Sequence, residues 1–250
     1  MRLRDFCYKI YWQLEKRMVP GLRNSQYLYQ EILESHVPAN GRWLELGCGH
    51  QILPDWIHGS TEIAASLVSK TKETAGLDPV FDSIRNHRTI RDRVVAAIEH
   101  SPFRDKSFDL VTANMVMEHV QDPAAAISEA CRLLAPGGAF IFHTPNFGNY
   151  QYKMAALVPQ FLKNKIVWLL EGRHEADVFP TVYAINTPQD IEKFAAQCGL
   201  RVVELKLVNS TAISAVFFPL AFFELIVIRL LQSDSRKNYR SNIIAKLQKG

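Results

Sequence analysis

The sequence is poor in cysteine and has no CxxC pair: Cys7, Cys48, Cys131 and Cys198 are all it contains, and they lie far apart. That spacing excludes a zinc ribbon and argues against a disulfide framework, so a reducing compartment is the default expectation. The opening stretch "MRLRDFCYKIYWQLEKRM" has no long apolar core followed by small residues, so it does not read as a secretory signal. An excess of charge of one sign is also small. A net charge of +4 makes no case for nucleic acid, though it permits an anionic partner surface. Internal repeats and low-complexity tracts are absent. What is present is ordinary globular composition, 48% apolar and 22% charged over 250 residues. That is enough for one sizeable α/β domain with an insertion.

Along the chain, Phe6, Ile10 and Leu14, then Tyr27, Leu28 and Ile32, recur at helical spacing. The interruption "VPGLRNS" predicts two N-terminal helices within residues 1–40, on the substrate side of a main domain spanning 41–250. "RWLELGCG" reads as a buried strand running into a turn, "TAGLDP" as a second strand, "RVVAAIE" as a third and "FDLVTANMV" as a fourth. "QDPAAAISEACRLLAPGG" reads as a helix capped by Asp122, with Pro123 in its first turn and its end at Pro136-Gly137-Gly138. "AFIFHTPN", "LRVVELKLV" and "SNIIAKLQK" are the remaining strands. Strands alternating with helices, then two late strands without a helix between them, predict an α/β fold. It is a Rossmann-like open sheet of about seven strands, mostly parallel with one antiparallel edge strand, and helices cover both faces.

In such a sheet a ligand lies beyond the carboxyl ends of the strands, where strand order reverses. The stretch "WLELGCGHQ" would border it. Two glycines, Gly47 and Gly49, let the backbone approach a bound molecule closely. A dinucleotide site needs a third glycine three residues later, but Ile52 stands there, and Glu45 would repel a pyrophosphate. The same carboxylate suits a cationic or amino-bearing ligand. Asp78, at the end of the second strand, can accept bonds from a ribose diol or can cap a helix.

These pieces fall in one order with "SPF" before "SFDLV", then "MEHVQDP", "RLLAPGG" and "TPN". Together they resemble class I S-adenosyl-L-methionine-dependent methyltransferases of the small-molecule type, among them those of ubiquinone and menaquinone biosynthesis. The resemblance runs over residues 42–146 and more weakly onward. It implies that Glu45, Gly47, Cys48 and Gly49 line the methionine part of the cofactor and that Asp78 holds the ribose hydroxyls. It implies further that Ile98 meets adenine through its N–H, and that Asn114 faces the amino-acid end. Ala97 stands where the family commonly has an acid, so the adenine amino group either uses Glu99 instead or goes without a side-chain partner. Gln51 replaces a further glycine, and the distance from Glu45 to Asp78 implies an extended first helix through "STEIAASLVSKTKE". His119 and His143 are the candidate general bases, each with a bland alternative as a hydrogen-bonding or packing residue. Met115 occupies the position of a carboxylate that holds metal in some relatives, so no metal is expected.

Acceptor choice is expected in residues 1–40 and in a lid insertion at 147–186, where Tyr150, Tyr152, Phe179 and Tyr183 are candidates for contact with a lipophilic or lipid-linked acceptor. The segment 211–232 is apolar but contains Pro219 and Glu224, which disfavour spanning a bilayer. Two readings stay open for it: a buried helical element, or an in-plane helix touching anionic membrane beside the bases Arg229, Arg236, Lys237, Arg240, Lys246 and Lys249. The whole predicts a cytoplasmic, peripherally membrane-associated methyltransferase that binds no nucleic acid, and leaves its oligomeric state open. The rivals are a non-catalytic cofactor-binding relative acting as a regulatory subunit and, less well supported, a nicotinamide-dependent oxidoreductase.

Overall fold

A computed structural model describes residues 3–149, 151, 181–212, 214–215 and 218–250. They gather in two compact units: Gln26–Pro145, Thr181–Lys206 and Ile243–Gly250 form the larger, and the described residues within Met1–Ser25, Asn146–Pro180 and Leu207–Asn242 form the other. Most of the stretch expected as a lid, including Tyr150, Tyr152 and Phe179, lies outside the described residues.

The chain begins with helices α1 (Leu3–Met18) and α2 (Ser25–His36), then β1 (Arg42–Leu46), α3 (Ser60–Lys70), β2 (Glu73–Asp78), the short α4 (Phe81–Ile84) and β3 (Asp92–Val95). It continues with β4 (Phe108–Asn114), α5 (Pro123–Leu133), β5 (Leu134–Pro145), α6 (Pro188–Gln197), β6 (Leu200–Val208), α7 (Phe218–Leu231) and β7 (Asn242–Lys249). The strands form one sheet in the order β3-β2-β1-β4-β5-β7-β6. From β3 to β5 every neighbouring pair is parallel. Of the last two strands only β7 runs the other way round. Gln248 reaches Gly137 and the Asn146 amide reaches Ser241, so β7 lies antiparallel to β5; Arg201 meets Gln248 and Arg240 meets Leu207, so it is antiparallel to β6 as well. The final strand therefore inserts inside the sheet instead of closing its edge.

The central parallel strands β1, β4 and β5 are buried on both faces, as their apolar runs require: Leu44, Leu46, Leu110, Val111, Ala113 and Phe140 to Phe142 are all sealed from solvent. Strand order reverses between β1 and β4, so the carboxyl ends of these two strands open a crevice.

Three local expectations differ from the structure. The helix before β5 stops at Leu133, not at the Pro-Gly-Gly turn, because Leu134 already takes extended dihedrals and pairs with Phe108 before a bulge. The third strand ends at Val95, short of Glu99. The extra length between Glu45 and Asp78 lies in the loop 47–59 and not in an extended helix; α3 waits until Ser60, after Pro54 and a left-handed Gly59. The grouping also separates α1 from α2. Tyr29 of α2 stacks on His143 of β5, with ring centroids 5.6 Å apart, and this ties α2 to the sheet.

Candidate functional site

The glycine turn leaves β1 in left-handed geometry, with φ of 61° at Gly47 and 52° at Gly49. The two glycines serve different ends. A Cβ on Gly47 would lie 2.4 Å from Val116 Cγ2, so this glycine lets the loops after β1 and β4 close on each other. A Cβ on Gly49 would meet nothing within 4 Å, so its main chain borders open space. Asp78 holds the turn from β2. Its Oδ2 accepts the Gly49 N–H at 2.9 Å and its Oδ1 accepts the Val80 N–H at 2.9 Å. Each oxygen keeps a second lone pair for another donor. Cys48 contributes main chain only, for its side chain is buried against Gly76 and burial pushes the thiol pKa up.

Ile52 is buried in the core where a dinucleotide loop would place its third glycine. The N-terminus of α3 begins only at Ser60, so no helix dipole follows the glycines directly. The turn after β3, Ile98–His100, has Ile98 buried and Glu99 half-buried. Glu129 of α5 pins it by accepting the Ser101 N–H at 3.0 Å, and Glu129 is itself held by Arg132 at 2.6 Å.

Beneath α2 lies a column of polar groups on one face of β1, β4 and β5. Glu45 is buried and accepts a hydrogen bond from the Thr112 hydroxyl, which in turn accepts from Trp43 Nε1. Burial raises the Glu45 carboxyl to about 8, so it is mostly protonated at neutral pH, not the charged group its sequence position suggested. Asn114 Nδ2 donates to Gln26 Oε1 at 2.9 Å, and Asn114 Oδ1 meets His143 Nδ1 at 3.0 Å. An amide oxygen only accepts, so Nδ1 carries the proton and Nε2 a bare lone pair. That Nε2 and the Tyr29 hydroxyl are buried without a partner among the described residues. Burial holds His143 down to about 3, so it stays neutral.

A second cluster surrounds the loop after β4. Glu118 is buried, and burial raises it to about 7. Its Oε2 accepts from Thr144 Oγ1 at 3.1 Å, while Asn186 Nδ2 donates to that hydroxyl at 2.7 Å and to the Pro145 carbonyl at 2.8 Å. The Glu118 carbonyl accepts from the amides of Val182 and Tyr183, which places Tyr183 against this loop. His119 is partly exposed, with Nε2 4.0 Å from Glu118 Oε1. Met115, at φ 57°, donates its N–H to the His143 carbonyl. No three His, Cys, Asp or Glu side chains converge as a metal cluster among the described residues.

The structure thus brings Glu45, Gly47, Gly49, Asp78 and Asn114 to the carboxyl ends of adjacent strands, but separates the two histidines into a sealed one and an accessible one. Sequence reading missed Tyr29, Gln26, Thr112, Val116, Thr144 and Asn186. Of these, only Thr112, a polar residue two positions before the predicted Asn114 in an apolar strand, carried a local signal.

These buried groups set a pH dependence. Below pH 6.5, His143 (about 3) and His87 (about 4) resist protonation in the folded chain, so their contribution rises with pH up to 6.5. Glu45 and Glu118 act in the opposite sense. Folded, they keep protons that the unfolded chain loses at 4.5; the stability this confers is complete below 4.5 and gone once pH passes about 8 for Glu45 and about 7 for Glu118. Glu15, also raised by burial, adds to the same trend. Between pH 6.5 and 8, of these described groups only the carboxyls still act, so melting temperature falls over this interval, and Glu118→Gln flattens its lower half. Thermal scans at constant ionic strength check this.

An open sheet with a nucleoside-type glycine turn at its strand reversal, and no glycine-to-helix junction for a pyrophosphate, defines the Rossmann-like methyltransferase class. A family model described as a methyltransferase domain matches residues 22–205, and the chain belongs to that family, the S-adenosyl-L-methionine-dependent class I type. S-adenosyl-L-methionine is the methyl donor that goes with it. Among curated proteins, the ubiquinone biosynthesis O-methyltransferase of Paracidovorax citrulli is 30% identical over 168 residues, 66% of this chain and 68% of its own. That of Thiobacillus denitrificans is 26% identical over 188 residues, 74% of this chain and 75% of its own. Among solved structures, an S-adenosylmethionine-dependent methyltransferase from Mesorhizobium loti aligns with a TM-score of 0.54 at 17% identity, covering 88% of this chain and 96% of the other. Geranyl diphosphate C-methyltransferase from Streptomyces coelicolor, solved with Mg2+, geranyl diphosphate and S-adenosyl-L-homocysteine, aligns at 0.52 and 16% identity, covering 90% and 80%.

Proposed function

We propose that this chain catalyses methyl transfer from S-adenosyl-L-methionine to an oxygen of a small, lipophilic acceptor, with a carbon acceptor as the alternative. The observation that carries the reading is the Gly47–Gly49 turn braced by Asp78 at the strand reversal. The residues present suit the donor. Gly49 leaves room where a Cβ would intrude, Asp78 retains lone pairs for ribose hydroxyls, and Asn114 and Glu45 offer neutral polar groups toward the amino-acid end. Ile98 and Glu99 lie in the turn assigned to adenine. When bound, the sulfonium supplies an activated methyl with a good leaving group, so the protein's share is in-line placement and proton removal.

For proton removal, the accessible His119 beside Glu118 is the better placed histidine. His143 is sealed beneath Tyr29 and serves to fix Asn114. The O-methyltransferase names of the curated relatives favour an oxygen acceptor. Four free thiols fit a reducing, cytoplasmic setting.

The test is calorimetry with S-adenosyl-L-methionine, followed by turnover to S-adenosylhomocysteine with quinol-type and other phenolic acceptors. Binding without turnover on any extract points instead to the regulatory relative. His119→Gln is expected to lower kcat by about 10²–10⁴ with little change in donor affinity. An unchanged kcat removes the base assignment. Turnover is expected to persist in excess chelator, since Met115 stands where some relatives have the carboxylate that holds a metal.

A further inference from the structure

Helix α7 is apolar on both sides. Its inner side packs with α1: Ala221, Leu225 and Ile228 share a buried cluster with Tyr11, Val19, Ala212 and Ala215. Its one acid is turned inward too. Glu224 is buried and accepts hydrogen bonds from the Ser214 amide at 2.9 Å, the Ser214 hydroxyl, and Gln151 Nε2 at 2.5 Å. The outer side is left with Leu220, Phe222, Phe223, Ile226 and Leu230. Phe223 is 63% exposed, Leu220 55% and Leu230 51%. A contiguous apolar face of this kind marks a contact surface, since solvent exposure of two phenylalanines and three aliphatic side chains on one helix is unfavourable.

Length says what the helix does not do. At 14 residues α7 is about 21 Å long, against a hydrocarbon thickness of about 30 Å. No helix among the described residues is long and apolar enough to cross a membrane. Charge says what covers the face. In the unit that contains α7, the exposed ionisable side chains described are Lys9, Lys16, Arg17, Arg23, Arg229, Arg236 and Lys237, against Asp234 as the single exposed carboxylate. Arg236 and Lys237 lie in the exposed turn Asp234–Tyr239 directly after the helix, and Arg229 ends its last turn with its guanidinium on the Met18 carbonyl at 3.1 Å. Bases around an apolar helix face, with the nearby acids among the described residues buried or singly paired, complement an anionic lipid surface and not an acidic or neutral protein groove.

We infer that α7 is an in-plane membrane contact: Phe222, Phe223, Ile226 and Leu230 enter the headgroup–acyl boundary of an anionic bilayer, and the bases of α1 and of the turn 234–239 contact its phosphates. None of these residues is among those assigned to the methyl donor, so the proposal goes beyond the methyl-transfer reading and does not need it. A lipophilic acceptor would be met at that surface.

The experiment is flotation of the full chain with mixed phosphatidylglycerol–phosphatidylcholine vesicles and with pure phosphatidylcholine vesicles, with no methyl donor present. Binding to the anionic vesicles that weakens with added salt is expected. Phe222→Glu/Phe223→Glu should reduce partitioning at least about tenfold, and Arg236→Glu/Lys237→Glu should abolish the preference for anionic lipid. Circular dichroism and melting temperature confirm that both variants fold, and turnover on a soluble acceptor should be unchanged. Wild-type protein that ignores anionic vesicles overturns the proposal, as does a Phe222→Glu/Phe223→Glu variant that still floats. So does sedimentation showing a dimer that this variant dissociates, since the face then pairs two copies.

Discussion

Replacing Gly47 by alanine is expected to abolish binding of S-adenosyl-L-methionine and to destabilise the fold. Two costs combine. An L-residue at φ 61° loses about 1–2 kcal/mol to left-handed strain. The added methyl, built 2.4 Å from Val116 Cγ2, forces overpacking worth about 1–3 kcal/mol. Denaturant unfolding measures the sum, and calorimetry measures the donor. The two costs can be separated, because Val116→Ala in the same chain relieves only the steric part. A double variant that regains some stability but not donor affinity supports the assignment of this turn. A Gly47→Ala chain that melts and binds like wild type refutes it. Gly49→Ala is the companion change. Its Cβ meets no heavy atom within 4 Å, so its effect falls on the ligand and the φ of 52°.

The second large effect is expected at Asp78. Its carboxylate accepts from the Gly49 and Val80 amides, and hydrogen bonds to a charged acceptor are each worth about 1.5–3 kcal/mol. Asp78→Ala leaves the glycine turn without its brace and the donor without the diol partner proposed for it, so donor Kd should rise by at least about 10². Asp78→Asn can satisfy one amide but turns an NH2 toward the other, and should recover only part of the loss. If Asp78→Ala binds S-adenosyl-L-methionine with unaltered Kd, the carboxylate is a structural cap and the ribose assignment is withdrawn. Stability and affinity need both to be measured, because a cap alone would lower the first and spare the second.

Much of the larger unit was legible in the chain. Apolar runs of strand length ending in Gly or Pro marked β1, β2, β4 and β5, and Asp122 with Pro123 marked the start of α5, where the Asp122 side chain does accept the Ala125 amide. The bulky Ile52 excluded a pyrophosphate loop before any coordinates, and its burial in the core agrees. These signals are local, since they follow from backbone preference and side-chain period within a few residues. The 47–59 loop was misread as helix length because spacing alone cannot say whether extra residues coil or turn. Gly59 and Pro54 decided it.

By itself, then, the sequence determined the strands, the glycine turn, the residues at the strand ends and the family. Tertiary structure alone decided their states. It buried Glu45 and Glu118 so that they hold protons near neutrality, sealed His143 under Tyr29 while leaving His119 open, and bonded Asn114 to Gln26 across 88 positions of sequence. It also decided that Glu224 turns inward and the phenylalanines of α7 outward. The reason is physical: a titration state or an exposed face depends on what packs against a group in space, and those neighbours come from parts of the chain that no local pattern connects.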